Sequence, residues 1–538
     1  MNSVGVSSGG ELTILGSTTL MTTNRAMSTA FPWKRKRRPV RREREESRQD
    51  VGDSIWLGID LGTQSVRAVA VSETGGVRGQ GSYPLTGWRD GARHEQDPED
   101  WWQATAAACR AALAGWPASS IRGLAVDATS GTILLVERSG KPLTPGLMYD
   151  DTRAADEARR ADEAGADIWA SLGYHMHPSW ALPKLLWLLR EHGGASSDTR
   201  LNHQADFINR RLAGHEVPSD SSNALKTGYD LVRETWRYEV LDALCVPDQI
   251  MPAVVRSGTI IGSVCREAAS MTGIPAGTPI IAGVTDGCAA QIASGAVNVG
   301  SWNSVLGSTL VLKGVTPELI RDSAGVMYSQ RSPDGHWLPG GASNTGAAIL
   351  SKRFAERDLE ALDAQAAKRE PASVVTYPLV SRGERFPFAA PAAEGFMLGS
   401  PADEVDFYAS LLQGVGFIER LAFDYLDLLG VPTDGELRFT GGAVRSRYWC
   451  QLRADILGRS VALPGNAEPA VGMAVLAASA GRRLVEVTRQ MVRIREAIDP
   501  RPDRTARFHE PYLKLVEELA RRGWVQPALL RHANERST

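Results

Sequence analysis

The chain has 538 residues, of which 43% are hydrophobic and 23% are charged, and its formal net charge is −2. This is an ordinary globular composition, so it excludes extensive disorder, collagen-like repeats and coiled coils. Five widely spaced cysteines show no CxxC or Cys/His metal spacing, and no apolar run reaches the roughly 18 residues of a membrane span. We therefore expect a cytoplasmic protein with reduced thiols and no membrane segment.

The first 53 residues differ from the rest of the chain. Residues 1–50 contain ten Lys/Arg and five Asp/Glu, a net charge of +5, and subtracting this from −2 leaves −7 for the remainder. A basic run at 34–38 has neither hydrophobic periodicity nor the apolar stretch of a secretory signal. We interpret residues 1–53 as a disordered basic tail, or as sequence upstream of a start at Met27, with a nucleic-acid patch as the alternative. The acidic remainder does not favour nucleic acid as a partner of the folded body.

Strands, turns and helices alternate over residues 54–282. Asp97 followed by Pro98 predicts the N-cap and first position of a helix. A second helix is predicted at 182–189, whereas the polar stretch 219–223 is predicted to be a loop. Short apolar runs bounded by turn residues predict strands at 55–60, 66–71, 121–126 and 133–136.

The same order recurs in residues 283–500. Strands are predicted on both sides of a small polar turn at 307–309, and a strand at 436–440 precedes a helix that begins near residue 446. A helix of small residues at 470–480 is predicted to pack closely. The repetition predicts two α/β domains, 54–282 and 283–500, with a ligand cleft between them. Residues 501–538 are assigned to a C-terminal helical extension.

The turn at 60–65 is the first candidate site. Gly62 allows the backbone to approach a ligand, Thr63 and Ser65 offer hydroxyls, and successive amides can form an anion-binding concavity. Asp60 would repel a phosphate unless a cation lies between them, so the turn suits a nucleotide with Mg²⁺. The alternative is an ordinary hairpin turn.

Two further small-residue turns lie in the second half. The turn at 307–309 separates two apolar strands as the turn at 60–65 does, and two such hairpins can hold a polyphosphate from opposite sides. The turn at 441–443 lies between a strand and a helix and leaves room for a flat base or a ribose. Each of them alone also fits an ordinary hairpin or helix entry.

Asp286 is the candidate catalytic base. It lies where an apolar strand at 279–284 stops and a helix of small residues at 288–293 begins. A carboxylate there is fixed by rigid backbone and suits a general base that accepts the proton of a substrate hydroxyl during phosphoryl transfer. The alternative is a helix N-cap. Asp127, at the end of the predicted strand 121–126, lines a sugar site or caps a loop.

The ordered set of motifs resembles the FGGY carbohydrate kinases of the actin-like ATPase superfamily. The resemblance covers about residues 54 to 485 and implies two RNase H-like α/β domains with an active-site cleft between them. It also implies ATP-dependent phosphorylation of a sugar hydroxyl with Mg²⁺, so that a small-molecule sugar and ATP are the partners. The matching segments are 58–63, 95–102, 283–287, 306–309 and 441–443.

The resemblance further implies roles for single residues. Asp286 would be the base for the terminal sugar hydroxyl, and Asp60 would help to place Mg²⁺, directly or through water. The residues implied to contact the sugar are Asp60, Thr63, Gln64, Ser65, Asp127 and Asp286. The residues implied to surround ATP are Gly307, Ser308, Thr309, Gly346, Gly441, Gly442 and Ala443.

Within the family, the segments 219–230, 340–346 and 383–387 resemble the D-ribulose kinases. Asp127-Ala128-Thr129 stands where typical xylulokinases carry a Met-His pair, although Gln-Ser-Val at 64–66 departs from the Ser-Gly-Ala of the D-ribulose branch. The leading hypothesis is therefore conversion of D-ribulose to D-ribulose 5-phosphate. A xylulokinase or another polyol kinase is the alternative within the family. A catalytically silent sugar or nucleotide sensor is the alternative from another class.

Overall fold

The computed structural model describes residues 54–536. The predicted basic tail, residues 1–53, lies outside the described residues. The elements of the first part of the chain are, in order, β1 (Ile55–Leu61), β2 (Ser65–Ser72), β3 (Val77–Pro84), β4 (Trp88–Asp90), β5 (Arg93–Gln96), α1 (Pro98–Leu113), β6 (Ile121–Ala128), β7 (Ile133–Glu137), β8 (Gly146–Leu147), α2 (Ala155–Ala164), α3 (Ala166–Leu172), α4 (Ala181–Glu191), β9 (Thr199–His203), α5 (Gln204–Ala213), β10 (Ser219–Asp220), α6 (Ser221–Ala224), β11 (Tyr229–Asp230), β12 (Thr235–Trp236), α7 (Tyr238–Ala243), β13 (Val254–Val255), β14 (Ile260–Ser263), α8 (Arg266–Thr272), β15 (Pro279–Ile281) and α9 (Asp286–Ser294).

The second part continues with the same alternation. Its elements are β16 (Trp302–Leu306), β17 (Leu310–Gly314), β18 (Tyr328–Arg331), β19 (Trp337–Ser343), α10 (Ala348–Arg353), α11 (Leu359–Ala366), β20 (Val375–Tyr377), β21 (Phe396–Leu398), α12 (Glu404–Leu428), β22 (Leu437–Thr440), α13 (Arg447–Leu457), β23 (Val461–Pro464), α14 (Pro469–Ala478), α15 (Leu484–Met491), β24 (Ile494–Ile498), α16 (Pro502–Arg507), α17 (His509–Arg521) and α18 (Pro527–Glu535). Short 3-10 helices occupy Ala118–Ser120, Leu225–Thr227, Asp248–Ile250 and Gly442–Arg445.

The two large sheets share one strand order over six strands, read in opposite directions, and β18 is a seventh strand at the edge of the second sheet. The first runs β14-β15-β6-β1-β2-β3 and the second runs β18-β19-β17-β16-β22-β23-β24. In the first sheet β1 pairs antiparallel with β2 and parallel with β6, and in the second β16 pairs antiparallel with β17 and parallel with β22. Each half of the chain therefore builds the same arrangement of a central strand, a hairpin return and a parallel neighbour, as the repetition in the sequence predicted.

Local sequence explains the central elements of the first domain. The strands β1 and β6 are almost wholly buried because both faces of the sheet are covered, and this matches their near-continuous apolar runs. The edge strand β3 is mostly exposed. Helix α1 begins as predicted, with Pro98 in its first turn and the Asp97 side chain accepting a hydrogen bond from the Glu99 amide at 2.9 Å.

Helix α14 of the second half packs on the sheet of the first half. It lies against β1, β6 and α9, and the close packing predicted for this small-residue segment is confirmed. A Cβ atom on Gly58 would lie 1.7 Å from the carbonyl oxygen of Ala470, and one on Gly472 would lie 2.1 Å from the carbonyl oxygen of Ala289. Because these positions have no side chains, the backbones of the two halves come into direct contact.

The polar stretch 219–223 is not the loop that its composition predicted. Its residues are buried, and 221–224 form α6. The Asp220 side chain caps this helix, since Oδ1 accepts from the Asn223 amide at 2.8 Å and Oδ2 accepts from the Asn223 side chain at 2.8 Å. The prediction of a loop was wrong because side-chain caps satisfy the polar groups of this segment inside the fold.

The C-terminal helices belong to the core of the second domain. Phe508, Tyr512, Leu519 and Leu529 are buried in the same hydrophobic cluster as the long helix α12. Among residues 54–536, no helix combines the length and the apolar character that crossing a membrane requires.

Substitution of Gly472 by alanine tests the contact between the two halves. Alanine is favoured over glycine inside a helix by about 1 kcal/mol, but here its methyl group would lie 2.1 Å from the Ala289 carbonyl oxygen. We expect the clash to dominate and to lower the free energy of unfolding by about 1–3 kcal/mol, as measured by urea denaturation. Gly262→Ala is the control, because its Cβ would meet only Val217 and Ala213 side chains at 3.5 and 3.6 Å. A Gly472→Ala protein of unchanged stability would contradict this packing.

Candidate active site

Three aspartates meet at one edge of the first sheet. Asp60 on β1 lies directly opposite Asp127 on β6 in the parallel register. Asp286 follows β15, the other neighbour of β6, and Thr285 bridges Ala128 at the end of β6. The carboxyl ends of parallel strands in α/β sheets are where ligands bind. Asp286 is the first residue of α9, and Thr285 occupies the N-cap position, so the N-cap alternative for Asp286 was wrong.

Burial and neighbouring carboxylate charges raise the pKa values of Asp60 and Asp127. Asp60 is 6% exposed and Asp127 is fully buried. Burial and then the charge of Asp286 raise the pKa of Asp60 to about 6. Burial and then the charge of Asp60 raise the pKa of Asp127 well above its usual range. Negative charge is therefore unfavourable at this edge unless a cation accompanies it.

The carboxylates of Asp60 and Asp127 have unused capacity for a ligand. Neither carboxylate oxygen of Asp127 accepts a hydrogen bond from a donor group within residues 54–536. Its carboxyl neighbour is Asp60, with which it shares a hydrogen bond only when one of the two carries a proton. No closed cage of three or more His, Cys, Asp or Glu side chains forms in the described part of the chain. An open pair of carboxylates suits Mg²⁺, which is commonly held by one or two carboxylates together with water and substrate phosphates.

The two predicted phosphate turns occupy equivalent places in the two sheets. Residues 62–64 join β1 to β2, and residues 307–309 join β16 to β17. The glycine amide of each turn donates a hydrogen bond inside its own hairpin, at 3.1 Å from Gly62 and 3.0 Å from Gly307. Amides that project from such turns can donate to phosphate oxygens. Within residues 54–536 no backbone acceptor pairs with the next amides of the two turns, those of Thr63, Gln64, Ser308 and Thr309.

Glycines enclose the second turn. A Cβ atom on Gly346 would lie 2.5 Å from the carbonyl oxygen of Ser308, and one on Gly441 would lie 2.5 Å from the carbonyl oxygen of Leu306. Gly441 also has a φ of +85°, which glycine adopts without strain. These two predicted ATP-site residues therefore define the shape of the turn as well as its surroundings.

The segment 441–443 is only partly available to a ligand. Gly441 is exposed and Gly442 is half-buried, whereas the Ala443 side chain is buried in the core of the second domain. Ala443 can therefore face a nucleotide through its backbone alone. Ser446 caps the following helix α13 by accepting a hydrogen bond from the Trp449 amide at 2.9 Å.

Glu384 holds the loop that leads to Gly346. Its carboxylate accepts hydrogen bonds from the Ser343 hydroxyl at 2.9 Å, the Asn344 amide at 2.6 Å and the Thr345 hydroxyl at 3.0 Å. The Tyr377 hydroxyl donates to the same carboxylate at 3.0 Å. The segments 340–346 and 383–387 are thus packing partners behind the second turn, a relation that the linear sequence does not reveal.

Gln96 supports the first turn from helix α1. Its side-chain amide donates to the carbonyl oxygen of Thr63 at 2.7 Å and accepts from the Trp101 indole at 2.7 Å. In the turn itself Thr63 and Ser65 are half-buried and Gln64 is exposed. The motif at 95–102 therefore positions the turn at 60–65 and does not itself supply a charged group to it.

Two lysines near Asp286 were not identified from the sequence. Burial raises the pKa of Asp286, while the Gly287 amide, which donates to Oδ1 at 2.7 Å, and the charges of Lys226 and Lys313 oppose this. Lys226 belongs to the first half of the chain, and Lys313 lies on β17 directly after the second turn. Lys226 lies within the segment 219–230 that resembles the D-ribulose kinases, and Lys313 lies in no such segment; neither was given a role, because only the folded arrangement brings them to Asp286.

A hydrogen-bond network joins the two halves beside Asp286. The Lys313 ammonium donates to Gln330 Oε1 at 2.7 Å. The Gln330 side-chain amide donates to Thr285 Oγ1 at 2.8 Å and to Ser222 Oγ at 3.1 Å. Gln330 on β18 therefore contacts both Ser222 in the first half of the chain and the residue that precedes Asp286.

Comparison with known families agrees with this arrangement. The model of the FGGY family of carbohydrate kinases, N-terminal domain, matches residues 55–293, and the model of the C-terminal domain matches residues 302–481. Together the two matches cover more than half of the chain. The chain belongs to the FGGY family of carbohydrate kinases.

Individual relatives of this FGGY kinase agree with that assignment. A xylulose kinase from Klebsiella pneumoniae is 28% identical over 79% of this chain and 89% of its own length. A xylulose kinase from Streptomyces coelicolor is 30% identical over 79% of this chain and 88% of its own length. The crystal structure of a xylulose kinase from Rhodospirillum rubrum has a TM-score of 0.76 at 25% identity and covers 86% of this chain and 98% of that chain.

The predicted class is therefore confirmed. The protein has the two-domain actin-like ATPase fold and is an ATP-dependent carbohydrate kinase that uses Mg²⁺. The partners are a small-molecule sugar and ATP.

Asp60→Asn is expected to stabilise the ligand-free protein at alkaline pH. Because the pKa of Asp60 rises from 3.8 to about 6 on folding, deprotonation above pH 6 destabilises the folded state. The neutral amide removes this penalty, so we expect the free energy of unfolding of the ligand-free protein to increase by up to about 3 kcal/mol at pH 8. The gain should shrink as the pH falls towards 4, where the native carboxyl is protonated. Urea denaturation at both pH values measures the difference, and a variant less stable than wild type at pH 8 would contradict the argument.

Proposed function

We propose that this FGGY kinase phosphorylates the terminal hydroxyl of a ketopentose and that Asp286 is the general base. The observation that carries the proposal is the position of Asp286. It begins α9 at the edge of the first sheet that holds Asp60 and Asp127, and a Cβ atom built on the next residue, Gly287, would lie 3.6 Å from the Lys313 side chain. Lys313 follows the second turn on β17. The base thus lies between the proposed sugar side and the proposed ATP side of the protein.

The environment of Asp286 suits a base that gains and loses a proton within one turnover. The charges of two lysines, Lys226 and Lys313, favour the charged form of the carboxylate and so oppose the rise in pKa caused by burial. As the sugar hydroxyl attacks the γ-phosphorus of ATP, its proton passes to Asp286, and burial favours the neutral acid that results. The bond from the γ-phosphorus to the bridging oxygen breaks, and ADP leaves with that electron pair.

The remaining residues position the two substrates. Phosphoryl transfer depends chiefly on alignment and on stabilisation of charge. The amides of Ser308 and Thr309 are proposed to hold the phosphates, and Thr63, Gln64, Ser65 and Asp127 are proposed to border the sugar. Asp60 is proposed to hold Mg²⁺, directly or through water. When bound, Mg²⁺ neutralises charge on the phosphate oxygens.

Two ketopentoses are the candidate sugars. The names of the relatives, xylulose kinases at 28 and 30% identity, favour D-xylulose over the D-ribulose proposed from the sequence. D-Ribulose is kept as the second candidate because of Asp127-Ala128-Thr129 at the sugar edge. Thr129 is locked in place there, since its hydroxyl donates to Gln204 Oε1 at 2.8 Å, which leaves the Asp127 carboxylate as the open polar group of this segment.

A coupled assay of ADP formation tests the proposal and decides between the sugars. D-Xylulose, D-ribulose and the polyols xylitol and ribitol would be ranked by kcat/KM. Absence of sugar-dependent ADP formation with all of them would remove the proposed function. A higher kcat/KM for a polyol than for either ketose would remove the ketopentose assignment.

Asp286→Asn should abolish most of the turnover while the protein still binds nucleotide. Loss of a general base lowers kcat by about 10²–10⁴-fold, whereas the ADP dissociation constant, measured by calorimetry, should stay within about twofold. Asp156→Asn is the matched control, because Asp156 also stands in the first turn of a helix, α2, but is 79% exposed and pairs only with Arg159 at 3.0 Å. Near-normal kcat in Asp286→Asn would exclude Asp286 as the base.

A further inference from the structure

Lys226 lies where the two domains meet. It lies in the 3-10 helix Leu225–Thr227, and its ammonium donates to the carbonyl oxygen of Ser130 at 3.1 Å. The ammonium also lies 5.8 Å from the ring centre of Trp180 and 5.6 Å from that of Tyr328. Trp180 precedes α4 in the first domain, and Tyr328 begins β18 in the second. Both domains therefore fix the position of this charge.

The hydrogen-bonding capacity of Lys226 is only partly used. An ammonium has three N–H donors, and the Ser130 carbonyl oxygen takes one of them. Within residues 54–536 no carboxylate lies within ion-pair distance of Lys226, and Asp286 acts on it only at longer range. Lys226 is half-buried, and a partly desolvated charge with one acceptor is less favourable than one with several, so this ammonium has capacity for an oxygen ligand.

The loop beside Lys226 contains further polar groups without partners. The Ser130 hydroxyl is buried and has no hydrogen-bond partner among the described residues, and the same holds for both carboxylate oxygens of Asp127. These groups lie within four residues of one another at the end of β6. A ligand with several hydroxyl groups carries both the donors that the Asp127 carboxylate lacks and the acceptor that the Ser130 hydroxyl lacks.

We propose that Lys226 binds the sugar and donates a hydrogen bond to an oxygen of the substrate whose terminal hydroxyl faces Asp286. The proposal rests on the proposed function, because it concerns the sugar side of the same site. The Trp180 and Tyr328 rings hold the ammonium in place without supplying an acceptor of their own. Lys226 is thus a sugar-binding residue in addition to being one of the two charges near the base.

The charge of Lys226 is expected to change within a pH range that an enzyme assay can cover. Burial lowers its pKa to about 8, Asp286 opposes this shift, and Arg385 adds to it. The other titratable groups that face it are His177 and Lys184. Above about pH 8 the ammonium loses its charge and becomes a weaker donor, so sugar binding should weaken as the pH rises through this value.

The test compares wild type with Lys226→Met and Lys226→Arg between pH 6.5 and 9.5. In wild type we expect KM for the preferred ketopentose to rise above about pH 8. Lys226→Met should raise this KM roughly 10- to 100-fold at pH 7, since a hydrogen bond from a charged group is lost, and should remove its rise with pH. Lys226→Arg should keep a lower KM than Lys226→Met up to pH 9.5, because arginine stays charged. KM for ATP should stay within about twofold in each variant.

Lys141→Met is the control for removal of a lysine from the first domain, because this side chain is 74% exposed, and it should match wild type.

A Lys226→Met protein with a lower kcat and an unchanged sugar KM would overturn the proposal and leave Lys226 with an effect on Asp286 alone. A wild-type sugar KM that does not change between pH 7 and 9.5 would also overturn it, and this result does not depend on any variant that fails to fold.

Direct binding separates failure of this proposal from failure of the proposed function. Calorimetry with D-xylulose and D-ribulose measures the sugar dissociation constant without turnover. If wild type binds a ketopentose but forms no ADP, the proposed function fails, and a Lys226→Met affinity reduced at least tenfold still supports the sugar contact. If wild type binds neither sugar, or if Lys226→Met binds as tightly as wild type, the contact is excluded.

Discussion

The burial of two carboxylates beside a third at one edge of a sheet is the constraint on which the active site depends. The charge of Asp286 raises the pKa of both Asp60 and Asp127, which are themselves buried, and a folded chain tolerates this only where cations or protons compensate. Lys226 and Lys313 compensate from within the protein, and Mg²⁺ adds charge when it is bound. The free-energy cost of burying these carboxylates is therefore larger in the ligand-free protein than in the protein with its substrates and Mg²⁺ bound. Such a balance is common where stability is exchanged for function.

The second constraint is the direct contact of backbones between the two halves. Helix α14 leaves the second sheet, crosses to the first and packs on β1 beside Asp60. Gly58 and Gly472 allow this approach, and the network from Lys313 through Gln330 to Thr285 adds a polar connection close by. A rearrangement of the second domain would thus reach the strand that carries Asp60 and the helix that begins at Asp286. The domains are joined where the chemistry is proposed to take place, and closure around the substrates would exclude water there.

Much of the secondary structure around the candidate site was predictable from the sequence, because local sequence patterns encode it. The apolar runs of β1 and β16, the glycines of their turns and the cap at Asp97 act within a few residues of one another. The position of Asp286 followed from the change between a strand and a small-residue helix. The roles of residues that meet only through tertiary packing were missed, since Lys226, Lys313 and Gln330 come from separate segments, and only Lys226 stood in a segment that the sequence singled out. The buried stretch 219–223 was misjudged because polar composition predicts exposure, whereas the Asp220 cap allows burial.

The two equivalent turns have a consequence for how such a protein can change over evolutionary time. If backbone amides hold the phosphates, as proposed, no single side-chain replacement deletes those contacts, provided that Gly346 and Gly441 keep the turn in shape. The proposed sugar contacts, by contrast, come from side chains such as Asp127 and Lys226, each of which one codon change can alter. ATP binding and sugar specificity can therefore change independently. A protein of this kind can evolve specificity for a new sugar while it still binds ATP as the phosphoryl donor.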